Sequence, residues 1–405
     1  MSLEWLIVGG GIHGVHLATR LIEQGDFSAD ELAIVDPGDR LLERWRCNTG
    51  VTGMTHLRSP GVHHLDLAPF SLLQFAKDPS RGGDGELAEP YSRPSLSLFN
   101  THCDRVIAKF GLAAVHHQDR VVSCLPDKQR VLVRLAKGGW VEARNVIFAI
   151  GMSEQPYWPD GVPQGDARVQ HVFAAGFGGW PTTSDERVAV LGGGISAAQV
   201  ALRLSREGHR VRLVTRHAFR EHRFDSDPGW LGPRLIADFD RHKKTSRRRE
   251  IITKARHRGS VPPDVIRPLR RALEQDEIIW EQQDVEEVIP ASDVVYVRYS
   301  NGLVVEADRV LLATGFTPNR PGGAMLDSLV ESASLPCADC GFPIVDETLR
   351  WHRRIYVTGP LAELEIGPIS RNIAGARVSA DRIVSTVKRR DRKRRIRLAD
   401  SAVAS

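Results

Sequence analysis

Gly9, Gly11 and Gly14 stand at the spacing of a phosphate-binding turn, in the run Gly9-Gly10-Gly11-Ile12-His13-Gly14. Each glycine of such a turn has its own task. The first makes the bend, the second lets backbone approach a pyrophosphate, and the third lets a helix pack closely on a strand. Spacing alone is weak, because glycines also serve ordinary turns. Context adds weight: Trp5-Leu6-Ile7-Val8 reads as a buried strand just before the run. Just after it, Val15, Ala18, Leu21 and Ile22 share one helical face, and Gly25 is the expected stop. Free N–H groups and the dipole at that helix N-terminus favour an anion. Asp36, at the end of a second strand over 32–36, is placed to accept hydrogen bonds from a ribose diol. His13 and His16 decorate the helix and read as structural.

A second copy follows far downstream. Val188-Ala189-Val190-Leu191 leads into Gly192, Gly194 and Ala197, with a helix to Gly208 and a strand over 211–214. Ala in the third place is an accepted variant. Aligning the two second strands puts Thr215 where Asp36 stood, with Arg216 next. Losing the carboxylate removes repulsion, and a guanidinium beside it pairs with a 2′-phosphate. The contrast orders the sites: FAD first, a nicotinamide cofactor second, and NADPH rather than NADH.

Around these loops the chain repeats one plan. Strands over 131–135, 140–143 and 146–151 end the first half at Gly151. Strands over 293–299, 303–307 and 310–315 end the second at Gly315. Lys137-Gly138-Gly139 and Ser300-Asn301-Gly302 are the hairpin signals between them. The fold class expected is α/β: two nested Rossmann-type dinucleotide-binding domains with β-meander crossovers, plus a helical insertion. Residues 1–160 and 310–388 are assigned to a discontinuous FAD-binding domain, and 182–309 to an NADP-binding domain carrying the insertion 217–275. The stretch 151–181, with four prolines, suits a two-strand linker. Residues 78–94 read as a surface loop and 389–405 as a disordered basic tail.

Composition sets broad limits. The net charge of +5 is concentrated in two runs: 241–258 has nine Lys/Arg against one Glu, and 388–397 has eight against one Asp. The remainder is net acidic, so solvated helix faces and a frayed tail are expected, without a nucleic-acid partner. The N-terminus lacks the basic flank of a signal peptide and no stretch has membrane-spanning length. A reduced, cytoplasmic setting is expected for the five cysteines. No metal site is expected. Cys337-Ala338-Asp339-Cys340 is one pair only, and reads as incidental or weakly metal-binding.

Asp308-Arg309-Val310-Leu311-Leu312-Ala313-Thr314-Gly315-Phe316 resembles the D-x-x-x-L-A-T-G-[YF] signature of the class B flavin monooxygenases, in particular their lysine/ornithine N-hydroxylating branch and its relatives. Pro321 falls where that group's closing proline lies, while Arg320 replaces the usual His. The group's Phe-x-Gly-x-x-x-His signature is reduced to His171. Ile355-Tyr356-Val357-Thr358-Gly359, followed by a helix from Ser370, resembles the flavin-capping segment, with Pro360 where relatives often carry Asp. The resemblance implies that Gly359 and Asn372 lie at the flavin. It also implies that His56 and Arg58, in the segment 46–60, line its ring as the catalytic candidates. It further implies an NADPH-dependent enzyme using O2 and a small-molecule substrate, an amine, sulfur or carbonyl compound oxygenated through a flavin hydroperoxide. Substrate selection is expected from the insertion near Trp230 and Arg256, and a homodimer is a possible assembly. Two alternatives stay open. One is an NADPH-dependent reductase serving a disulfide, quinone or carrier protein. The other is a nucleotide-binding regulatory protein with little turnover.

Overall fold

A computed structural model describes residues 3–78 and 87–387. The expected tail 389–405 and most of the charged part of the 78–94 loop lie outside these residues. Apolar runs without alternation make strands buried on both faces. Leu3–Val8 is the centre of the first sheet, parallel to Leu32–Asp36 on one side and to Trp140–Phe148 on the other. His116–Gln118 and Ile355–Val357 extend the sheet in parallel, and Arg350–His352 closes one edge antiparallel. The strands expected at 140–143 and 146–151 are one continuous strand. Its first part pairs antiparallel with Val131–Leu135, and its second part runs beside Leu3–Val8. Helix Ile12–Gly25 buries Val15, Ala18 and Leu21, and the left-handed stop is Asp26 at φ 58°, one residue beyond Gly25.

The second sheet has five parallel strands in the order Ile278–Gln282, Arg210–Thr215, Arg187–Leu191, Arg309–Leu312 and Val169–His171. Two boundaries need correction. The strand beginning near 310 belongs to this sheet, where Val190 pairs with Leu311, and not to the first domain. Within the supposed linker, Val169–His171 is an edge strand of the same sheet. The two chain crossings between domains do run side by side. Pro156 bridges Phe316, Tyr157 N–H donates to Gly315 O at 2.9 Å, and Thr317 N–H donates to Gln155 O at 3.0 Å. A separate meander of Val285–Pro290, Val295–Tyr299 and Val304–Ala307 covers one face of the second sheet.

The region 217–275 is helical, as expected, but serves two cores. Helix Pro263–Glu274 buries Ile266, Leu269 and Ala272 with Ala198 and Val200 of helix Ile195–Arg206. It is the ordinary crossover between strands Arg210–Thr215 and Ile278–Gln282, so the insertion proper ends before it. Helices Pro233–Arg241 and Thr245–Ala255 lean the other way: Trp230, Phe239 and Ile252 join Leu361, Ile366 and Ile369 in the core of the first domain. A segment leaving the second domain therefore clamps the first.

Burial holds five imidazoles neutral: His16 is pushed down to about 3, and His13, His64, His102 and His171 to about 4. Unfolded, each titrates near 6.5, so between about 6.5 and 4 the unfolded chain binds more protons. Stability is expected to fall as pH drops through that window, by roughly 1–2 kcal/mol per imidazole at pH 5. Thermal melts between pH 7 and 4.5 check this; a flat Tm over that range contradicts it.

Candidate functional site

Both glycine loops end their strands at the same edge of their sheets and open a helix. Gly9 has φ +111°, and a Cβ there would meet Ala149 O at 2.7 Å. Gly192 has φ +150°, and its Cβ would meet Ala313 O at 2.5 Å. A Cβ on Gly14 would stand inside the carbonyl oxygen of Gly9, whereas one on Gly11 meets nothing within 4 Å. The protein itself therefore requires Gly9, Gly14 and Gly192. Nothing within the described chain requires a glycine at Gly11. Gly194 is also roomy, its nearest neighbour being the backbone of Gly259 at 3.4 Å, and Ala197 is fully buried beneath the loop.

The Asp36 carboxylate is aimed back at the first loop. Oδ2 accepts from Gly10 N–H at 2.7 Å and Oδ1 from Gly38 N–H at 2.8 Å, leaving further lone pairs for a diol. At the equivalent place Thr215 is buried, and its hydroxyl donates to His217 O at 2.9 Å and accepts from Trp280 Nε1 at 3.0 Å. Its hydroxyl proton and one lone pair are thus spent within the protein, which leaves one lone pair and the backbone of Thr215 at the strand end. Arg216 beside it is exposed.

His13 was read from the sequence as decoration on the helix, and its place is more telling. Its Nδ1 shares a hydrogen bond of 2.8 Å with Thr358 Oγ1, its ring lies 3.7 Å from where a Gly359 Cβ would be, and the backbone of Asn372 lies against the imidazole. It ties the glycine loop to the Ile355–Gly359 segment without adding charge. Ser370 Oγ donates to Gly359 O at 2.6 Å, and Asn372 precedes the helix 373–387. Gly151 and Gly315 lie at the two chain crossings; a Cβ on Gly315 meets nothing within 4 Å, and one on Gly151 only Ser153 Oγ at 4.0 Å.

The insertion closes over this end of the first domain through charge. Asn372 Nδ2 donates to Asp225 Oδ1 at 3.2 Å, and Arg256 joins Asp225 Oδ2 at 3.3 Å to Pro368 O at 3.1 Å. Burial pushes the Arg256 guanidinium below its ordinary value, with Asp225 opposing. Glu363, 1% exposed, pairs with both Arg249 and Arg371, the latter through bonds of 2.6 and 2.9 Å. Arg248 pairs with Glu365 at 2.5 Å. The basic run 241–258 is therefore not simply a solvated face, since Arg248, Arg249 and Arg256 are consumed in holding the domains together.

The catalytic candidates fare differently. Arg58 donates to Arg223 O at 2.7 Å, His222 O at 2.6 Å and Ser260 Oγ at 2.9 Å, so it positions the insertion; burial lowers its pKa. His56 is half-buried and bridges Ser95 through backbone. Trp230 is a core residue, and only Arg256 of the two expected selectors sits at the seam. His171 is buried, with Nδ1 accepting from Phe173 N–H at 3.0 Å and Nε2 near Thr314 Oγ1 at 3.1 Å. Sequence reasoning missed the stacked His222 and His257 rings, 3.8 Å apart beside Arg58, because the two residues lie on separate loops.

Glu363 offers a test of the clamp. Glu363→Ala leaves two guanidiniums facing a dry site without their carboxylate, and is expected to destabilise the fold by about 3 kcal/mol in urea. Its partners hold the Glu363 carboxyl below its ordinary value despite burial, so its contribution is full above about pH 4.5 and is lost as pH falls through the lowered value.

Residues 6–153 match the FAD-NAD(P)-binding family model, and residues 92–259 match the pyridine nucleotide-disulphide oxidoreductase family model. Solved structures align over nearly the whole chain. Ornithine hydroxylase from Pseudomonas aeruginosa aligns at TM-score 0.75 and 18% identity, over 96% of this chain and 99% of its own. The cadaverine monooxygenase of Erwinia amylovora, solved with FAD, aligns at 0.74 and 15%, over 96% and 94%. L-Lysine 6-monooxygenase from Pseudomonas syringae aligns at 0.72 and 18%, over 96% and 99%. The fold is that of the FAD- and NADP-binding oxidoreductases. These structures share the fold that the resemblance to class B flavin monooxygenases implies. None of the curated protein sequences matches this chain. No helix among the described residues is long and apolar enough to cross a membrane. No group of three or more His, Cys, Asp and Glu among them is arranged to hold a metal ion.

Proposed function

We propose that this chain is an NADPH-dependent FAD monooxygenase that oxygenates a small nucleophilic amine, sulfur or carbonyl compound. The observation that carries it is the contrast between two matched glycine loops, one facing the carboxylate of Asp36 and the other followed by the exposed guanidinium of Arg216. The structures of similar fold whose names include amine hydroxylases and monooxygenases support the choice of reaction class.

The first loop fits FAD. Gly11 leaves its backbone open, and the first-turn N–H groups of helix Ile12–Gly25 have no intrahelical acceptor. They take the pyrophosphate, and Asp36 takes the ribose diol. Neutral His13 braces that loop against Gly359 without opposing the anion. At the second loop, Gly192, Gly194 and the helix from Ile195 take the nicotinamide dinucleotide's pyrophosphate, and Arg216 pairs with its 2′-phosphate. FAD, when bound, supplies hydride acceptance from nicotinamide and the activation of O2. The chain contributes orientation and exclusion of water, with the Asp225–Arg256–Asn372 cluster and Arg58 holding the insertion over the seam.

A cytoplasmic location and a homodimer belong to the same reading; sedimentation of the purified protein checks the dimer. The reaction is tested by mixing NADPH-reduced protein with O2 and a panel of diamines and basic amino acids. Oxygen incorporated into one amine, with little hydrogen peroxide, is expected. Stoichiometric peroxide with every compound assigns the chain to the reductase class instead.

A further inference from the structure

Cys337 and Cys340 take no part in the cofactor sites. They sit on a hairpin in which Ile344 N–H donates to Pro336 O at 2.9 Å, Ala338 N–H donates to Phe342 O at 2.9 Å, and Cys337 bridges Pro343. The loop is three residues, Asp339 to Gly341. Gly341 takes φ +78°, as the last residue of such a loop requires, and its N–H donates to Ala338 O at 2.7 Å. Ala338, Phe342 and Pro343 are buried, Cys337 packs half-buried against the same core, and Cys340 at the loop is exposed. Three residues of chain hold the two Cα atoms within about 10 Å of each other, and the two thiols are near enough for Cys340 to act on Cys337 electrostatically.

The surroundings distinguish this pair from the other cysteines. Cys340 is exposed and Cys337 half-buried. Arg249 of the insertion lies beside Cys340, and Arg320 lies near Cys337. Arg249 spends Nη1 on Glu363 and holds the rest of its guanidinium within reach of the Cys340 thiol. Arg320 spends Nη2 on Asp327, while its Nη1 makes no hydrogen bond. Burial raises the Cys337 thiol, with Arg320 opposing, while Cys340 is exposed beside Arg249 and is the thiol that peroxide reaches first. Cys103 and Cys124 are buried, and burial pushes their thiols up, the latter to about 12. Cys47 is exposed, donates to Glu43 and has its thiol raised.

We propose that Cys337 and Cys340 form a reversible intrachain disulfide when the protein meets hydrogen peroxide, with Cys340 reacting first. The Cys340 thiolate attacks one peroxide oxygen, the O–O bond breaks, and the departing hydroxide is protonated to water, leaving Cys340 as the sulfenic acid. The Cys337 thiolate then attacks that sulfur, the S–O bond breaks, and a second hydroxide leaves as water. Two thiols and one peroxide give one disulfide and two waters. Two electrons pass from sulfur to peroxide, and a thiol reductant reverses the change.

The full-length protein is treated with an excess of hydrogen peroxide, alkylated and mapped by mass spectrometry. The expected product is a 337–340 peptide that has lost two hydrogens and resists alkylation until dithiothreitol is added. Cys337→Ser is expected to accumulate a sulfenic acid at Cys340 that dimedone traps, and Cys47→Ser to change nothing. Full alkylation of both cysteines after peroxide overturns the proposal. So does a disulfide that joins either of them to Cys47, or dimedone labelling of Cys337 in Cys340→Ser as strong as that of Cys340 in Cys337→Ser. Because the peroxide is added, none of these outcomes depends on the cofactors or reaction assigned above.

Discussion

Gly11→Ala is expected to purify as a folded protein that has lost most of its FAD. The methyl group meets no protein atom within 4 Å, and Gly11 already has extended backbone at φ −77°, ψ −169°, which any residue adopts. The apo-protein should therefore melt where the wild-type apo-protein does. The same methyl stands where a pyrophosphate must touch backbone, so two or more charge-assisted bonds lengthen or break. Their loss costs about 3 kcal/mol, or roughly a hundredfold in FAD affinity. Gly14→Ala gives the opposite pattern. There the methyl collides with Gly9 O inside the strand–helix contact, so the expected result is failure to fold rather than a clean loss of cofactor. Fluorescence titration of flavin into both apo-proteins separates the cases. Unaltered FAD affinity in Gly11→Ala removes the first loop as the FAD site.

Arg216→Ser is expected to lower kcat/KM for NADPH by roughly 10- to 100-fold while leaving NADH within about threefold. A charge-assisted bond to a phosphate is worth about 1.5–3 kcal/mol, and NADH has no phosphate to lose. Arg216 is exposed, and Thr215 beside it is anchored by hydrogen bonds with Trp280 and His217, so the substitution leaves the strand end intact. An equal fall with both cofactors points to damaged packing rather than a lost phosphate contact, and an unchanged ratio places the 2′-phosphate elsewhere.

The parts of this site visible in the sequence are those written locally. A buried strand, three spaced residues and the start of a helix fall within about ten positions, so both loops, Asp36 and Arg216 were readable. The rest depends on partners far away. Arg248, Arg249 and Arg256 look like solvent charges until Glu365, Glu363 and Asp225 are seen across them. Arg58 resembles a catalytic group by position, but its donors are taken by carbonyls of residues 222 and 223. Amphipathic helices at 233–241 and 263–274 carry the same kind of pattern, which does not say which core each will enter. Val169–His171 is three residues long among prolines and glycines, too short for alternation to register. The second glycine-terminated strand was read correctly as a strand but given to the wrong domain, because a chain returning through a double crossing leaves no local sign of which sheet it still serves.

The most direct measurement is an anaerobic titration of the FAD-reconstituted protein with NADPH and, separately, NADH, followed by flavin absorbance. The account predicts stoichiometric FAD binding, bleaching by one equivalent of NADPH, and far slower bleaching by NADH. A protein that binds no FAD, or whose bound flavin is bleached by neither nucleotide, contradicts it.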